Sequence, residues 1–332
     1  MNSEPLYMKV RNYVLKLITD KALSEGDKIP SESELVKLCG VSTITVKRAL
    51  LELQNEGLIY SKKGIGSFVG KQSKNKVLGV ILQDIRNSVF AEMIHGIESE
   101  AIQNGFNTVI GNNENDYGKL MNYVDQFLSS DVAGIILAPL QDNYEVLKNI
   151  RIARSILNEG VPLVLIDRNL QGIGVDYVGT NNVEAAQQLT AHLIDNGCRR
   201  IAFISDPVCS TNEERIKGYK MTLRERGIET DNKLIFISDL QGKEAGEESA
   251  RKLLQIKPLP DGIFAINDWV AYGAMEFLLQ QGIRIPRDIA MVGFDNVAIA
   301  HETPVSLTTM EQPSGEIGKQ AARALFERIE NP

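Results

Sequence analysis

The segment that decides the fold runs from residue 29 to residue 69 and reads IPSESELVKLCGVSTITVKRALLELQNEGLIYSKKGIGSFV. Ser31 and Glu34 have the spacing of a capping box, so a helix is expected to begin at Ser31. Leu35 and Leu38 are expected to face the core. Gly40 ends the helix, because glycine readily adopts the left-handed backbone that a helix end requires. The segment therefore opens with a short helix and a tight turn.

A second helix and a basic hairpin complete the segment. Ser42 is the expected cap of this helix, which ends near Gly57. Its apolar positions recur at three- and four-residue spacing and are Val46, Ala49, Leu50 and Leu53. Two short strands, 58–61 and 67–69, flank a turn that contains two glycines. A further amphipathic helix over residues 6–20 precedes the segment. This order predicts a winged helix-turn-helix, which places one helix in the major groove of DNA.

The side chains left outside this apolar stripe are hydroxyls and cations. Near a helix N-terminus they suit base edges and phosphates, and the lysines of the hairpin suit phosphates. The residues expected to contact DNA are Ser42, Thr43, Thr45, Lys47, Arg48, Lys62, Lys63, Gly64 and Gly66. The alternative is a solvent-exposed helical hairpin without a ligand, and the order of elements counts against it.

Charge is divided unevenly along the chain. Residues 1–76 contain 13 Lys and Arg against 8 Asp and Glu, a net charge of +5. The remaining 256 residues contain 23 and 35, a net charge of −12, so the whole chain carries −7. A basic N-terminal part on an acidic body confines the attraction for phosphate to one part of the chain. Chance asymmetry is the alternative explanation, and the motif beside it makes that less plausible.

Residues 5–69 resemble the DNA-binding domain of the GntR family of bacterial regulators. The resemblance rests on IPSESEL, GVS followed by TVKRAL, EGLIY and GIGSFV, and it covers the whole domain. The chain departs from the family at Ser33, Thr43 and Lys47, where arginine is usual or frequent. Fewer guanidiniums mean fewer bidentate contacts to guanine. The resemblance therefore implies the fold and DNA binding but no operator sequence.

Size and composition favour a soluble cytoplasmic protein with two or three domains. The chain has 332 residues, 43% hydrophobic and 24% charged. No apolar run approaches the length of a membrane helix, and the N-terminus lacks the pattern of a secretory signal. The three cysteines, Cys39, Cys198 and Cys209, are scattered, which favours small buried thiols over disulfides or a zinc site.

The long C-terminal part alternates between strand and helix patterns. Residues 1–70 are expected to form the winged helix-turn-helix, 71–76 a polar linker, and 77–332 a second domain. Short apolar runs such as VLGVILQ and VPLVLID are typical of strands buried on both faces, and amphipathic helices fill the gaps. The alternation predicts an α/β domain with parallel sheets covered on both sides.

Polar side chains follow several of these strands. Asn87, Asp167 with Arg168, Asn267 and Asp295 come at or soon after strand ends. Ligands of open α/β sheets lie beyond the carboxyl ends of the strands. Carboxylates and amides bind vicinal hydroxyls, and aromatic rings cover the C–H face of a sugar, so the pattern favours a polyol ligand. The alternative for each Asp or Asn alone is a helix cap or turn.

From about Val77 onward the chain resembles the sugar-binding domain shared by LacI-type repressors and periplasmic sugar-binding proteins. The most specific stretches are VGTNNVEAAQQLTAHLIDNGCRRIAFIS, FAINDWVAYGAMEFLLQQGIRIPRDIAMVGFDN and LTTMEQPSGEIGKQAA. The resemblance implies two lobes, 77–179 with 308–332 and 180–307. The family usually continues past this point into a last strand and tail, and the sequence leaves open whether this chain is truncated. The ligand-binding residues expected from the strand ends and the resemblance together are Asn87, Phe90, Asp167, Arg168, Arg215, Asn267, Trp269, Asp295 and Gln312.

Together the two resemblances point to the arabinose-repressor type of GntR regulator. They imply a dimeric, sugar-responsive repressor that binds operator DNA and is controlled by a monosaccharide, such as a pentose or deoxyhexose. The alternatives are a carbohydrate-binding or transport receptor with a fused head, or a regulator that responds to a nucleoside or sugar phosphate. No metal, cofactor or catalysis is expected, because His95, His192 and His301 are isolated and no catalytic motif is present.

Overall fold

The computed structural model describes residues 5–20, 22–24, 26–62, 65–70, 75–141, 146–207 and 209–331. The chain divides into two compact units, Met1–Lys74 and Asn75–Pro332, here named the head and the body. Among the described residues, no helix is long and apolar enough to cross a membrane.

The described part of the head contains three helices and one antiparallel hairpin. These elements are α1 (Leu6–Thr19), α2 (Glu32–Cys39), α3 (Thr43–Asn55), β1 (Ile59–Lys62) and β2 (Gly66–Val69). The predicted capping box is present, since the Ser31 hydroxyl accepts from the backbone of Glu34 and the Glu34 carboxylate accepts from the backbone of Ser31. Gly40 has a φ of 65°, as the end of α2 requires. The helix-turn-helix and wing predicted from the sequence are confirmed.

The core of the head follows the predicted helix faces with one exception. Leu35 and the stripe of α3 are buried together with Val10 and Val14 of α1. Leu38 is 57% exposed, so the expectation that it faces inward is wrong. On the two-turn helix α2, Leu35 and Cys39 lie four residues apart and share the buried face, and Leu38 lies beside that face.

Two parallel five-stranded sheets form the framework of the body. The first, in spatial order, contains β4 (Asn107–Asn112), β3 (Asn75–Leu82), β5 (Val132–Leu137), β6 (Leu163–Ile166) and β7 (Asp176–Val178). The second contains β12 (Thr308–Glu311), β11 (Ala290–Asp295), β10 (Gly262–Ala265), β8 (Ile201–Ser205) and β9 (Ile235–Ile237). Every residue of β5, β6, β8 and β10 is buried, because helices cover both faces of each sheet. The predicted α/β class with parallel sheets is confirmed.

Helices connect the strands and cover the sheets. The α-helices are α4 (Ser88–Gln103), α5 (Tyr117–Ser129), α6 (Val146–Asn158), α7 (Asn182–Asp195), α8 (Ser210–Glu225), α9 (Gly242–Leu253), α10 (Asp268–Gln280), α11 (Ile299–Glu302) and α12 (Ser314–Glu330). A short 3-10 helix, Asn232–Leu234, precedes β9. The first sheet has a hydrophobic cluster on each face, and the helices around the second sheet share one large cluster with it.

The chain passes between the two sheets more than once. It leaves the first sheet after β7 and enters α7, and after β12 it returns to the first sheet's layer as α12, which packs on α4. The sequence-based lobe boundary placed residues 308–311 with the first lobe. The structure differs, because Thr308–Glu311 pairs in parallel with β11 of the second sheet. The crossing therefore follows Glu311 rather than preceding Thr308.

Close packing of α4 against α12 depends on glycine. A Cβ added at Gly318 would overlap the backbone carbonyl oxygen of Met93. Gly315 lies on the same helix, but there the nearest atom to an added Cβ is the carbonyl oxygen of Glu92 at 3.9 Å, an ordinary contact. Alanine at Gly318 would both clash and change the helix propensity, whereas alanine at Gly315 would change only the helix propensity.

We predict that Gly318→Ala lowers the free energy of unfolding of the body by about 1–3 kcal/mol, because overpacking forces backbone displacement. Gly315→Ala is the matched control and is expected to change it by less than about 1 kcal/mol. Urea unfolding followed by circular dichroism measures both. Equal stability of the two variants would contradict the packing described for α4 and α12.

Candidate ligand cavity and DNA-binding surface

A cavity of about 730 Å³ lies at the carboxyl ends of the strands of both sheets in the body. This is where open parallel sheets bind ligands, and the volume lies within the range of small-molecule sites. The structure brings all nine residues predicted from the sequence to its walls, namely Asn87, Phe90, Asp167, Arg168, Arg215, Asn267, Trp269, Asp295 and Gln312.

The wall contributed by the first sheet is built on Asp167 and Arg168, which follow β6. The Asp167 carboxylate lies 3.0 Å from Nη1 of Arg168, and the same nitrogen donates to the carbonyl of Pro139 at 3.2 Å. Asp167 has a φ of 64°, and the Tyr177 hydroxyl donates to its backbone carbonyl at 3.1 Å. The pair is therefore held in place by backbone contacts as well as by charge.

The wall contributed by the second sheet is centred on the buried guanidinium of Arg215. Its Nε donates to Asn182 at 2.9 Å, and Nη1 donates to the carbonyl of Ile266 at 2.6 Å. Its Nη2 lies 3.6 Å from the carboxylate of Asp295, and the guanidinium stacks 3.5 Å above the ring of Phe294. These contacts fix the cation in a single orientation within the wall.

Asp295 connects this wall to the crossings between the sheets. The Gln312 amide donates to the Asp295 carboxylate at 2.7 Å, and the Thr180 hydroxyl donates to the Gln312 amide oxygen at 2.6 Å. Thr180 lies between β7 and α7, and Gln312 lies between β12 and α12. Burial raises the pKa of the Asp295 carboxyl to about 7, although the Arg215 guanidinium opposes the shift.

Two predicted residues also perform the helix-capping role that the sequence left open. The Asn87 side chain accepts from the backbone of Val89 at 3.0 Å at the start of α4. The Asn267 side chain accepts from the backbone of Val270 at 2.9 Å at the start of α10. Each has a second polar atom in its amide group, and both residues line the cavity. Capping and ligand contact are therefore compatible at both positions.

The two aromatic residues occupy different positions. Phe90 is buried and belongs to the hydrophobic cluster of the first sheet, so only a small part of its ring faces the cavity. Trp269 is 50% exposed and meets the ring of Tyr272 edge to face at 6.5 Å. Trp269 therefore offers the larger apolar face to a ligand.

The sequence reasoning missed other polar residues of the cavity. Asp206 follows β8, so the rule that selected Asp167 and Asp295 would have selected it as well. Its carboxylate accepts from the amides of Asn212 and Asn267, each at 3.1 Å. Burial raises the pKa of Asp206, although these two hydrogen bonds oppose the shift. Gln83 directly follows β3, so the same rule would have selected it, and it also lines the cavity.

In the head, the predicted DNA-contacting residues lie around the N-terminal half of α3 and on the wing. Ser42, Thr43, Lys47 and Arg48 are exposed, whereas Thr45 is partly buried. The Ser42 hydroxyl caps α3 at the backbone of Thr45 and lies 2.8 Å from its hydroxyl oxygen, so both side chains are partly occupied within the helix.

The remaining predicted contacts belong to Arg48 and the hairpin. The guanidinium of Arg48 lies 4.3 Å from the centre of the Tyr7 ring, so its orientation is set within the head. Lys62 is exposed at the end of β1, and Gly66 has a φ of 132°. Lys63 and Gly64 lie outside the described residues.

Comparison with known proteins divides the chain in the same way. Residues 6–69 match the family described as bacterial regulatory proteins of the gntR family, and residues 190–332 match the periplasmic binding protein-like domain. The arabinose metabolism transcriptional repressor of Geobacillus stearothermophilus is 27% identical, over 98% of this chain and 92% of its own length. The transcriptional repressor PurR of Aliivibrio salmonicida is 28% identical, over 90% of this chain and 91% of its own.

A solved structure supports the fold of the body. The transcription regulator CcpA of Lactococcus lactis superposes with a TM-score of 0.69 at 29% identity, and the match covers 77% of this chain and 92% of that one. The helix-turn-helix and wing of the head, and the paired parallel sheets of the body, agree with these matches. The chain therefore carries a gntR-type helix-turn-helix domain at its N-terminus, followed by a periplasmic binding protein-like domain.

Proposed function

We propose that this protein is a sugar-responsive transcriptional repressor that binds operator DNA as a dimer and takes a small sugar, such as a pentose or deoxyhexose, into the cavity of the body. The observation that carries the proposal is the convergence of carboxylates, amides and guanidiniums on one cavity beside an exposed tryptophan face. Carboxylates and amides hydrogen-bond the hydroxyls of a sugar, and an aromatic face packs on its C–H groups.

The similar proteins support the same class of function. Those named above are a repressor of arabinose metabolism, a PurR repressor and a transcription regulator, and none is an enzyme by name. We accordingly propose binding, without catalysis, for the cavity. The name of the arabinose repressor concerns sugar metabolism, and the polar cavity wall of this chain suits a polyol, so the proposed ligand is a sugar.

The arrangement of the cavity suggests how a ligand controls the protein. Asp167 and Arg168 follow a strand of the first sheet, whereas Asn267 and Asp295 follow strands of the second. A sugar that hydrogen-bonds to both walls favours the conformation in which they are closest. The hydrogen bonds from Thr180 to Gln312 and from Gln312 to Asp295 connect the conformation of the walls to the segments that cross between the sheets. A coupling of about 1–3 kcal/mol changes DNA affinity about 5–150-fold.

We predict that Asp167→Asn weakens sugar binding about 10- to 150-fold, since a hydrogen bond to a charged group contributes about 1.5–3 kcal/mol. Asparagine tolerates the left-handed backbone at this position, so the change removes charge without adding backbone strain. Mobility-shift titrations on DNA from the protein's own promoter region, with and without sugars, measure the effect. The variant is expected to bind this DNA normally but to need far more sugar to respond.

Asp131→Asn is the matched control for this experiment. Asp131 also has a left-handed backbone, with a φ of 56°, and it lies outside the cavity wall. Its substitution is expected to leave the sugar response unchanged. A wild-type response from Asp167→Asn would remove Asp167 from the ligand site. Failure of the wild-type protein to bind its promoter DNA under any condition would contradict the proposed function.

We predict that Lys47→Ala weakens DNA binding and reduces the dependence of log affinity on log salt concentration by about one unit, because one phosphate contact is lost. Lys16→Ala is the matched control, since Lys16 is an exposed lysine in the last turn of α1. Fluorescence anisotropy at several salt concentrations measures both variants. An unchanged slope for Lys47→Ala would exclude this side chain from the phosphate contacts.

A further inference from the structure

Carboxylates outnumber guanidiniums on the inner walls of the cavity. Asp167, Asp206 and Asp295 face it together with Arg168 and Arg215. Arg168 is paired with Asp167 at 3.0 Å, and Arg215 lies 3.6 Å from Asp295. Both of these guanidiniums lie beside a carboxylate, and the other cations of the lining, Arg86 and Lys243, pair with Asp84 and Glu276. Asp206 has no such ion pair among the described residues.

Asp206 receives hydrogen bonds but no cation. The residue is 9% exposed, and one carboxylate oxygen accepts from the amide of Asn212 and the other from that of Asn267. In the part of the chain that the structure describes, no lysine, arginine or histidine forms an ion pair with this carboxylate, so burial raises its pKa even though the more distant guanidiniums of Arg215 and Arg168 oppose the shift. Amide donors satisfy part of its hydrogen-bonding capacity, but they do not neutralise its charge, and a buried unpaired charge is costly.

The side chain of Gln83 gives independent support for a ligand that carries a hydrogen-bond donor. The residue is 7% exposed, and its amide nitrogen donates to the backbone carbonyl of Pro139. Its amide oxygen is buried and has no hydrogen-bond partner among the described residues, and neither has Oδ2 of Asp167 nor the Nε donor of Arg168, so two acceptors and one donor of the wall lack a hydrogen bond. A buried acceptor left unpaired costs about 1–3 kcal/mol, so a ligand group that donates to it is favoured.

We infer that the ligand of this cavity is an amino sugar, or a similar amino-polyol, whose ammonium group pairs with Asp206. An ammonium group supplies donors and a positive charge together, whereas a hydroxyl supplies a donor only. The remaining hydroxyls of the same ligand bind the amides and the two existing ion pairs. Anionic sugars, including phosphates and uronic acids, are disfavoured because they add negative charge beside Asp206. This inference rests on the proposed function, which requires only that a sugar binds.

Matched sugars test the inference on the full-length protein. Glucose, galactose and mannose are each compared with the corresponding 2-amino sugar and with its N-acetyl derivative, which has the nitrogen but lacks the charge. Arabinose, ribose and fucose are tested beside them as neutral pentoses and a deoxyhexose. Thermal unfolding identifies the sugars that bind, and calorimetry measures their affinities at pH 7. At least one amino sugar is expected to bind at least about tenfold more tightly than its hydroxyl and N-acetyl counterparts.

Substitution of Asp206 separates charge from shape. Asp206→Asn keeps the size of the side chain and is expected to abolish the preference for the amino sugar. Asp206→Glu keeps the charge and is expected to retain the preference, even if both affinities fall. Thermal unfolding without ligand verifies that each variant is folded.

The outcomes distinguish this inference from the function on which it rests. Equal or better binding of neutral sugars, or a preference that survives in Asp206→Asn, overturns the inference and leaves a sugar-responsive regulator in place. Binding of no sugar at all, together with DNA binding that no sugar alters, overturns both.

Discussion

The guanidinium of Arg215 is buried in the cavity wall, and three parts of the body meet on it, namely the start of α7, the end of β10 and the end of β11. It donates to Asn182 and to the carbonyl of Ile266, stacks on the ring of Phe294 and faces the carboxylate of Asp295. A buried cation is stable only when its hydrogen bonds and charge are satisfied, so these groups must keep their places. Asp295 in turn accepts from Gln312 at a crossing between the sheets. The geometry of the ligand wall and of the crossing thus depends on the same side chain.

Much of this arrangement could be predicted from the sequence, because parallel strands end at a common edge. Asp167, Asn267 and Asp295 were found by their position after apolar runs, and the structure brings them to one cavity. The strand Thr308–Glu311 was assigned to the wrong lobe, because its four residues are exposed or half-buried and carry no apolar run. Leu38 was misplaced because a two-turn helix has too few positions to define its buried face. Hydrogen-bond partners such as Thr180 and Gln312, which are 132 residues apart, leave no local pattern.

The head and the body offer different kinds of side chain for recognition. In the head, the exposed polar residues in the N-terminal half of α3 are one hydroxyl, Thr43, and two cations, Lys47 and Arg48. The net charge of +5 over residues 1–76 attracts the phosphates of DNA, whereas any preference for particular bases depends on contacts from these few side chains. In the body, backbone carbonyls hold the guanidiniums of the cavity wall and helix starts hold two of its amides, and we propose that these groups set the ligand specificity.

The central claim is that the cavity and the DNA-binding domain are coupled, and such coupling is reciprocal. Calorimetric titration of the effective sugar into the protein, alone and saturated with its promoter DNA, tests this most directly. The account predicts that DNA changes the sugar affinity by the same factor by which the sugar changes DNA affinity, within about 5–150-fold. Identical sugar affinity in the presence and absence of DNA would contradict it.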